Sequence, residues 1–368
     1  IKGKLFDQII FMLLIFFFLF GVIMIYSASG YQAYKLHNLY PHYYAVRQLM
    51  FGIIGLLIVF FINSINLDGS RDYVKYFVLI TLILLIAVLI PGIGNKVSGA
   101  RRWIKFFAFK IQPSEFAKLA IIMFLANFID KRRNKMDSFL EGFLPPMIIV
   151  GIFMVLIVLE PDFSTAMLIG LIAVIVLFIG GINFKYLVGL FVVGIIFGGF
   201  LIIHSPYRIN RIKGWVLGET DPLNKGYHIT RSKLALATGG FLGKGLTHSE
   251  VKIAGLPEAH TDFIFAVLGE EIGFLGAIFI IFFYLLLLYR GLKIARDTQN
   301  VYFKFLALGI SVMIAVHTFI NIAVVSGALP PTGVTLPFLS YGGSSLLVFM
   351  ASIGILMNIS NTIIKGEK

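Results

Sequence analysis

Apolar runs recur along almost the whole chain, each near the ~20 residues that a helix needs to cross a bilayer. They fall at about 9–28, 44–65, 74–91, 115–130, 143–160, 164–181, 184–204, 262–290, 303–326 and 340–362. The pattern predicts an all-α polytopic membrane protein of ten transmembrane helices, one membrane domain over 1–368, with a long loop at 204–261 between helices seven and eight. The first run is followed by no small-residue cleavage site, so Ile9–Tyr26 reads as a retained span rather than a signal peptide. "RRWIKFFAFKIQPSE" is apolar but flecked with charge, and is expected to lie in the interface or re-enter. Within the long loop, "TRSKLALATGGFLGKG" has the period of an amphipathic helix stopped by glycines. "GIIFG" (Gly194–Gly198) is a small-xxx-small motif, read as internal helix packing.

Composition sharpens this picture. The chain is 58% apolar and only 13% charged, against about 25% charged for an average soluble protein. It has no cysteine, which excludes disulfides, thiolate metal sites and cysteine nucleophiles. The net charge of +13 on such a chain points to anionic headgroups or an anionic substrate, not to nucleic acid.

Ten spans put both termini on one side, and the positive-inside rule makes that side cytoplasmic. The inside segments then carry Lys2 and Lys4; Arg71 and Lys75; "KRRNK" at 131–135; Lys185; Arg290, Lys293, Arg296 and Lys304; Lys365 and Lys368. Two outside segments break the rule. Pro91–Ser114 carries Lys96, Arg101, Arg102, Lys105 and Lys110. The loop 204–261 carries Arg208, Arg211, Lys213, Lys225, Arg231, Lys233, Lys244 and Lys252. Either these cations line an outer cavity for a polyanion such as pyrophosphate, or they are solvated loop charge, where the rule weakens.

Four polar clusters sit at the ends of apolar runs. In "PEAHTDFIFAVLGEEIG", Asp262 opens a span beside Phe263 and Phe265. Desolvation there would raise its pKa and suit a general base; the plain alternative is a helix cap made by Thr261 or Asp262. "QPSEFAK" places Glu115 and Lys118 on one helix face, as a structural lock or as part of a polar cavity. "LEPDFSTA" flanks Pro161 with two acids, as turn and capping chemistry would also do. "ALPPTGVTLPFLSYGGSS" cannot continue a helix, and its amides near Ser340–Ser345 could hold phosphate oxygens. No Gly-Lys-Ser/Thr follows, so it is not a P-loop. The seven histidines show no zinc-ligand spacing; a carboxylate-held divalent cation, Mg2+ or Mn2+, would fit a pyrophosphate leaving group.

Seven segments in order, "IYSAS", "GARRWI", "QPSEFAK", "EPDFSTA", "GGFLGKG", "PEAHTDFIFAVLGEE" and "GVTLPFLSYGGSS", resemble the SEDS family of shape, elongation, division and sporulation proteins. "YSAS", "PEAH" and "TLPFLSYGG" resemble its division and sporulation branch more than its elongation branch. Ser164 stands where glycine is common, and His228 and Arg231 where glutamine is common. The resemblance implies ten helices, both ends cytoplasmic, and a peptidoglycan glycosyltransferase that polymerises lipid II at the outer face. It makes Asp262 the essential acid and gives Arg101, Arg102, Glu115, Lys118, His260, Ser340 and Ser344 to substrate binding. It implies a class B penicillin-binding transpeptidase and other divisome or elongasome membrane proteins as partners, at the bacterial cell membrane and its division septum. The rival readings are a lipid II flippase and a non-catalytic scaffold. No close carboxylate partner for Asp262 is evident in the sequence, which favours a single inverting displacement over a retaining route.

Overall fold

The computed structural model describes residues 7–37, 39–67, 69–97, 100–106, 109–216, 227–253, 256 and 258–366. Gly99, Pro257 and the cations Lys2, Lys4, Lys225 and Lys368 lie outside the described residues.

Every predicted span falls on a helix. The first three are α1 (Gln8–His37), α2 (Tyr43–Ser64) and α3 (Ser70–Leu89). Three strands follow: β1 (Gly94–Val97), β2 (Ala100–Phe106) and β3 (Phe109–Ile111). Then come α4 (Pro113–Arg132), a π-turn at Phe139–Phe143, α5 (Leu144–Leu159), α6 (Phe163–Ile179) and α7 (Phe184–Ile203). The connecting region holds α8 (Pro206–Val216), α9 (Tyr227–Gly239) and α10 (Glu250–Ile253). α11 (Ile264–Asp297), α12 (Val301–Val325) and α13 (Gly343–Gly366) complete the chain. Among the described residues, seven helices are long and apolar enough to cross a membrane; α6 and α7 are shorter apolar helices. α4 is full length but carries Glu115, Lys118, Asp130, Lys131 and Arg132.

Two expectations are corrected. The chain is not wholly helical: residues 94–97, 100–106 and 109–111 form an antiparallel sheet in the order β1-β2-β3, with Ile104 opposite Gly94 and Ile111. Trp103, Ile104 and Phe106 are of the aromatic and β-branched types that strands favour. In the segment 204–261, α8 and α10 join the helix expected there. Gly194 and Gly198 would meet nothing within 4 Å if given a Cβ, so the small-xxx-small motif packs no helix. α9 does match its predicted period: Ile229, Ser232, Ala235 and Gly239 are its buried face.

α12 and α13 form the buried centre, and α2, α4 and α11 pack around them. At one end of the bundle, charges are paired: Arg71 with Asp130 at 2.9 Å, and Arg290 with Asp7. At the other end α11 is interrupted. Gly273 has φ +70°, which releases the helix ladder at that turn. The freed groups bond to the chain after α9: Lys244 N to Glu270 O (3.0 Å), Gly245 N to Glu271 O (2.9 Å), and Phe274 N to Gly240 O (2.9 Å). The approach is close. A Cβ on Gly239 would lie 2.1 Å from Gly269 O.

The two glutamates at this break are buried and paired. Glu270 accepts from Lys244 (2.9 Å) and Ser249 (2.5 Å). Glu271 accepts from Lys252 (2.7 Å) and from Ser27 of α1 (2.5 Å). Lys244 and Lys252 are therefore internal partners, not cations free to line a cavity. Gly239→Val should overpack this contact and lower stability by about 1–3 kcal/mol. Thermal unfolding in detergent checks it: the melting temperature should fall, whereas Gly199→Val, at a glycine with open space around it, should leave it unchanged.

Candidate active site

Asp262 belongs to a turn, 258–263, that precedes α11. It does not cap the helix. Phe263 is the cap residue, with no side-chain cap hydrogen bond, and Thr261 Oγ1 donates to Glu258 Oε2 at 2.8 Å. The capping alternative for Asp262 is thus removed. The turn is held from outside itself. Asn321 Nδ2 donates to Asp262 O and to Val334 O, both at 2.8 Å. Ser340 Oγ donates to Thr261 O at 2.6 Å, and Tyr341 N donates to His260 O at 2.9 Å. The segment 328–342 therefore lies against the Asp262 turn. Its Gly333, at φ +80°, comes so near that a Cβ there would stand 3.3 Å from Asp262 Oδ2.

Asp262 is half-buried, and its carboxyl is pushed up to about 7. Loss of water is the main cause. Glu258 and, less strongly, Asp162 push in the same direction, while Arg211 and Arg102 oppose them. Asp262 thus has two acidic neighbours, which corrects the expectation of an isolated carboxylate. The cations beside it are Arg211 of α8 and Arg102 of β2. Arg102 Nε donates to Glu160 O (3.1 Å) and its Nη2 to Pro161 O. Arg211 Nη1 donates to Pro331 O at 3.1 Å. Both guanidiniums brace loop carbonyls while their charge faces the acid cluster.

The turn 160–162 adds two further carboxyls. Asp162 Oδ1 accepts from Thr165 N at 3.3 Å, the capping role its sequence allowed. Its Oδ2 accepts from Gln112 Nε2 at 3.3 Å. Glu160 is fully buried, with both carboxyl oxygens unpartnered among the described residues. Burial and then Asp162 push it up to about 9, against Arg102, so it holds its proton at neutral pH.

The remaining predicted residues divide sharply. Glu115 and Lys118 form a buried pair at 2.7 Å. Lys118 Nζ also lies 2.9 Å from His317 Nε2 and over the Phe349 ring at 5.4 Å. His317 Nδ1 sits 2.8 Å from Met313 O, which places its proton on Nδ1 and leaves Nε2 to accept from Lys118. Lys118 is 2% exposed, so it acts as a lock rather than as a cation presented to substrate. Sequence reading missed His317, because a lone histidine in an apolar run carries no spacing signal. It lies four residues before Asn321, so the lock sits one helical turn beneath the Asp262 turn.

Ser340 and Ser344 are not free for an anion either. Ser340 Oγ also accepts from Leu336 N (2.8 Å), and Ser344 Oγ accepts from Gln112 N (3.1 Å) and contacts Lys110 O at 3.3 Å. They shape the loop. The His260 ring packs on Tyr44 with centroids 4.5 Å apart. Arg101 is half-buried on β2, opposite Lys96. Ser164 Oγ donates to Thr332 O, and His228 stacks on Phe263 at 5.9 Å, so two positions unusual for the resembled family reach this site. Among the described residues no three His, Asp or Glu side chains converge as a metal would require. No protein-only site for a resident divalent cation is present among the described residues.

Lys118→Ala should leave Glu115 buried without a counter-charge and cost about 3–5 kcal/mol. Paired replacement, Glu115→Gln with Lys118→Met, should cost less. Thermal stability of the two variants in detergent decides this; equal loss would mean that the pair is not a lock.

A family model described as "Cell cycle protein", covering the FtsW, RodA and SpoVE proteins, matches residues 7–364. A probable peptidoglycan glycosyltransferase FtsW from Trichlorobacter lovleyi is 42% identical, over 96% of this chain and 93% of its own. Stage V sporulation protein E from Bacillus subtilis is 41% identical, over 92% and 93%. Among solved structures, a chain of a peptidoglycan synthase complex superposes with a TM-score of 0.79 at 25% identity, covering 97% of this chain and 98% of that one. The rod shape determining protein RodA of Thermus thermophilus superposes with a TM-score of 0.70 at 25% identity, covering 96% of each chain.

Proposed function

The chain belongs to the FtsW/RodA/SpoVE family of multi-pass membrane proteins, and from that premise we propose that it is a peptidoglycan glycosyltransferase. It polymerises lipid II at the outer face of the bacterial cell membrane, with ten spanning helices and both termini in the cytoplasm. Asp262 is the general base. The observation that carries this reading is the half-buried Asp262 carboxyl at about 7, beside Arg102 and Arg211.

In the reaction the 4-hydroxyl of one substrate's N-acetylglucosamine attacks the anomeric carbon of the growing chain's terminal N-acetylmuramic acid. Asp262 takes the hydroxyl proton as the new C–O bond forms. The bond from the anomeric carbon to the pyrophosphate breaks, and undecaprenyl pyrophosphate leaves with the electron pair. Arg102 and Arg211 favour the charge that builds on it. Glu160, holding its proton, adds no negative charge to repel that group. A single displacement inverts the anomeric centre. Asp162 does not act as a second nucleophile here, since Thr165 N and Gln112 Nε2 already hold its two oxygens.

A flippase would need polar groups through the full membrane depth. The buried Glu115–Lys118–His317 group instead lies within one helical turn of the Asp262 level, which supports the enzyme reading. The peptidoglycan synthase complex that superposes on the chain supports a penicillin-binding transpeptidase as partner.

The purified protein, with its transpeptidase partner, should convert lipid II to glycan strands. Asp262→Asn should reduce turnover by about 10²–10⁴-fold, the range for a lost general base. Strands from both at equal rate would remove Asp262 from the chemistry. The pH profile is a separate check. The raised Asp262 pKa means that the ionised base accumulates as pH rises, so kcat/KM should climb through about pH 7 and level off above it. Glu258→Gln should move that limb to lower pH and Arg211→Ala to higher pH, because the first removes a charge that raises the pKa and the second a charge that lowers it.

A further inference from the structure

The chain after α9 turns through three glycines with positive φ, Gly240 (+56°), Gly243 (+80°) and Gly245 (+94°). These turns push two large apolar side chains outward: Phe241 is 74% exposed and Leu242 80% exposed. A solvated loop has no reason to display them. Their surroundings supply one. Phe241 O accepts from Leu275 N at 3.2 Å, and the Phe241 ring meets Phe274 edge-on at 5.9 Å. Phe274 and Leu275 are themselves 56% and 55% exposed. They begin a stripe on α11 that continues through Ile278, Phe282 and Leu285, all exposed.

No charged residue interrupts α11 between Glu271 and Arg290. At 1.5 Å per residue that stretch is about 27 Å long, close to the ~30 Å hydrocarbon thickness. Glu271 and Arg290 therefore mark the two hydrocarbon boundaries on this helix. Phe241 and Leu242 sit at the first of them, continuous with the lipid-facing stripe.

We propose that the turn 240–246 is a membrane foot, whose Phe241 and Leu242 enter the acyl chains of the leaflet on the Asp262 side. Charges at such a boundary are tolerated only when paired. The buried Glu270 and Glu271, locked to Lys244 and Lys252, meet that condition and tie the foot to α11. α9 then rises from the foot as a strut. Its far end is fixed near the catalytic turn, where Ser232 Oγ donates to Val325 O at 2.6 Å and His228 stacks on Phe263. The foot sets the height of that turn above the lipid. This inference rests on α11 crossing the bilayer, not on the polymerase reading, so either can fail alone.

The chain lacks cysteine, so single nitroxide labels can be placed without background. Phe241→Cys and Leu242→Cys are labelled in the full-length protein in lipid nanodiscs, with Phe282→Cys as lipid-facing control and Asn134→Cys as solvent-facing control. Relaxation by molecular oxygen and by a water-soluble nickel chelate is compared. Oxygen should dominate at both test sites, as at the lipid control, with a depth of roughly 5–10 Å below the phosphates. Nickel dominance, as at Asn134→Cys, would place the turn in water and overturn the proposal. Shielding from both reagents would mean that protein covers the turn, and would overturn it equally. Phe241→Ser/Leu242→Ser, carrying its nitroxide at the exposed His248→Cys, gives a further reading against the same label on the otherwise unchanged chain. Nickel access at that site should rise when the foot is removed, and no change would count against the foot.

Discussion

Two segments at the Asp262 end of the bundle, 258–263 and 328–342, have no helix or sheet to satisfy their backbone. In an apolar setting each unpaired amide or carbonyl costs several kcal/mol, so irregular chain survives there only if something else bonds it. The two segments satisfy each other, and three side chains complete the match. One nitrogen of Asn321 serves a carbonyl in each segment. Ser340 joins them from the second segment, and Gln48 of α2 donates to Ser340 O while accepting from Gly342 N. The position of Asp262 is a consequence of this mutual bonding. A carboxyl on a free loop would be solvated; here the backbone on both sides of it is fixed, and its side chain is left partly stripped of water.

The same rule governs the charges. Among the described residues, each deeply buried lysine has an acid: Lys118 has Glu115, and Lys252 has Glu271. These pairs anchor α4 beneath the site and the chain after α9 beside it. Arg102 and Arg211 also bond neutral loop carbonyls, and their positive charge acts on Asp262. A planar guanidinium can bond carbonyls at its edge and still project charge.

Much of this was legible in the sequence. Apolar runs found the helices α1 to α7 and α11 to α13, since an uninterrupted run of that length has few other uses. The pattern of "TRSKLALATGG" found α9, because one helical face must be small or apolar to pack. Asp262 stood out as an acid opening a span. What escaped was long-range. The sheet at 94–111 is short, and its strand period is blurred by aromatic residues on both faces. His317 is invisible until α4 and α12 are side by side. Glu258 and Asp162 lie near Asp262 only because separate turns converge there. Lys118, Ser340 and Ser344 were given to substrate binding by resemblance to the family, whereas protein partners already engage their hydrogen-bonding atoms.

The acid cluster also constrains the order of events at the site. At Asp262, lost water first and then Glu258 and Asp162 favour the protonated carboxyl. An incoming pyrophosphate would add negative charge and drive Asp262 further toward its protonated form, disabling it as a base, unless cations enter the balance with it. Arg102 of the sheet and Arg211 of α8 are the cations that lower the Asp262 pKa. On the proposed reading, the sheet and α8 thus supply the charge that a carboxylate and a pyrophosphate would need to share one site.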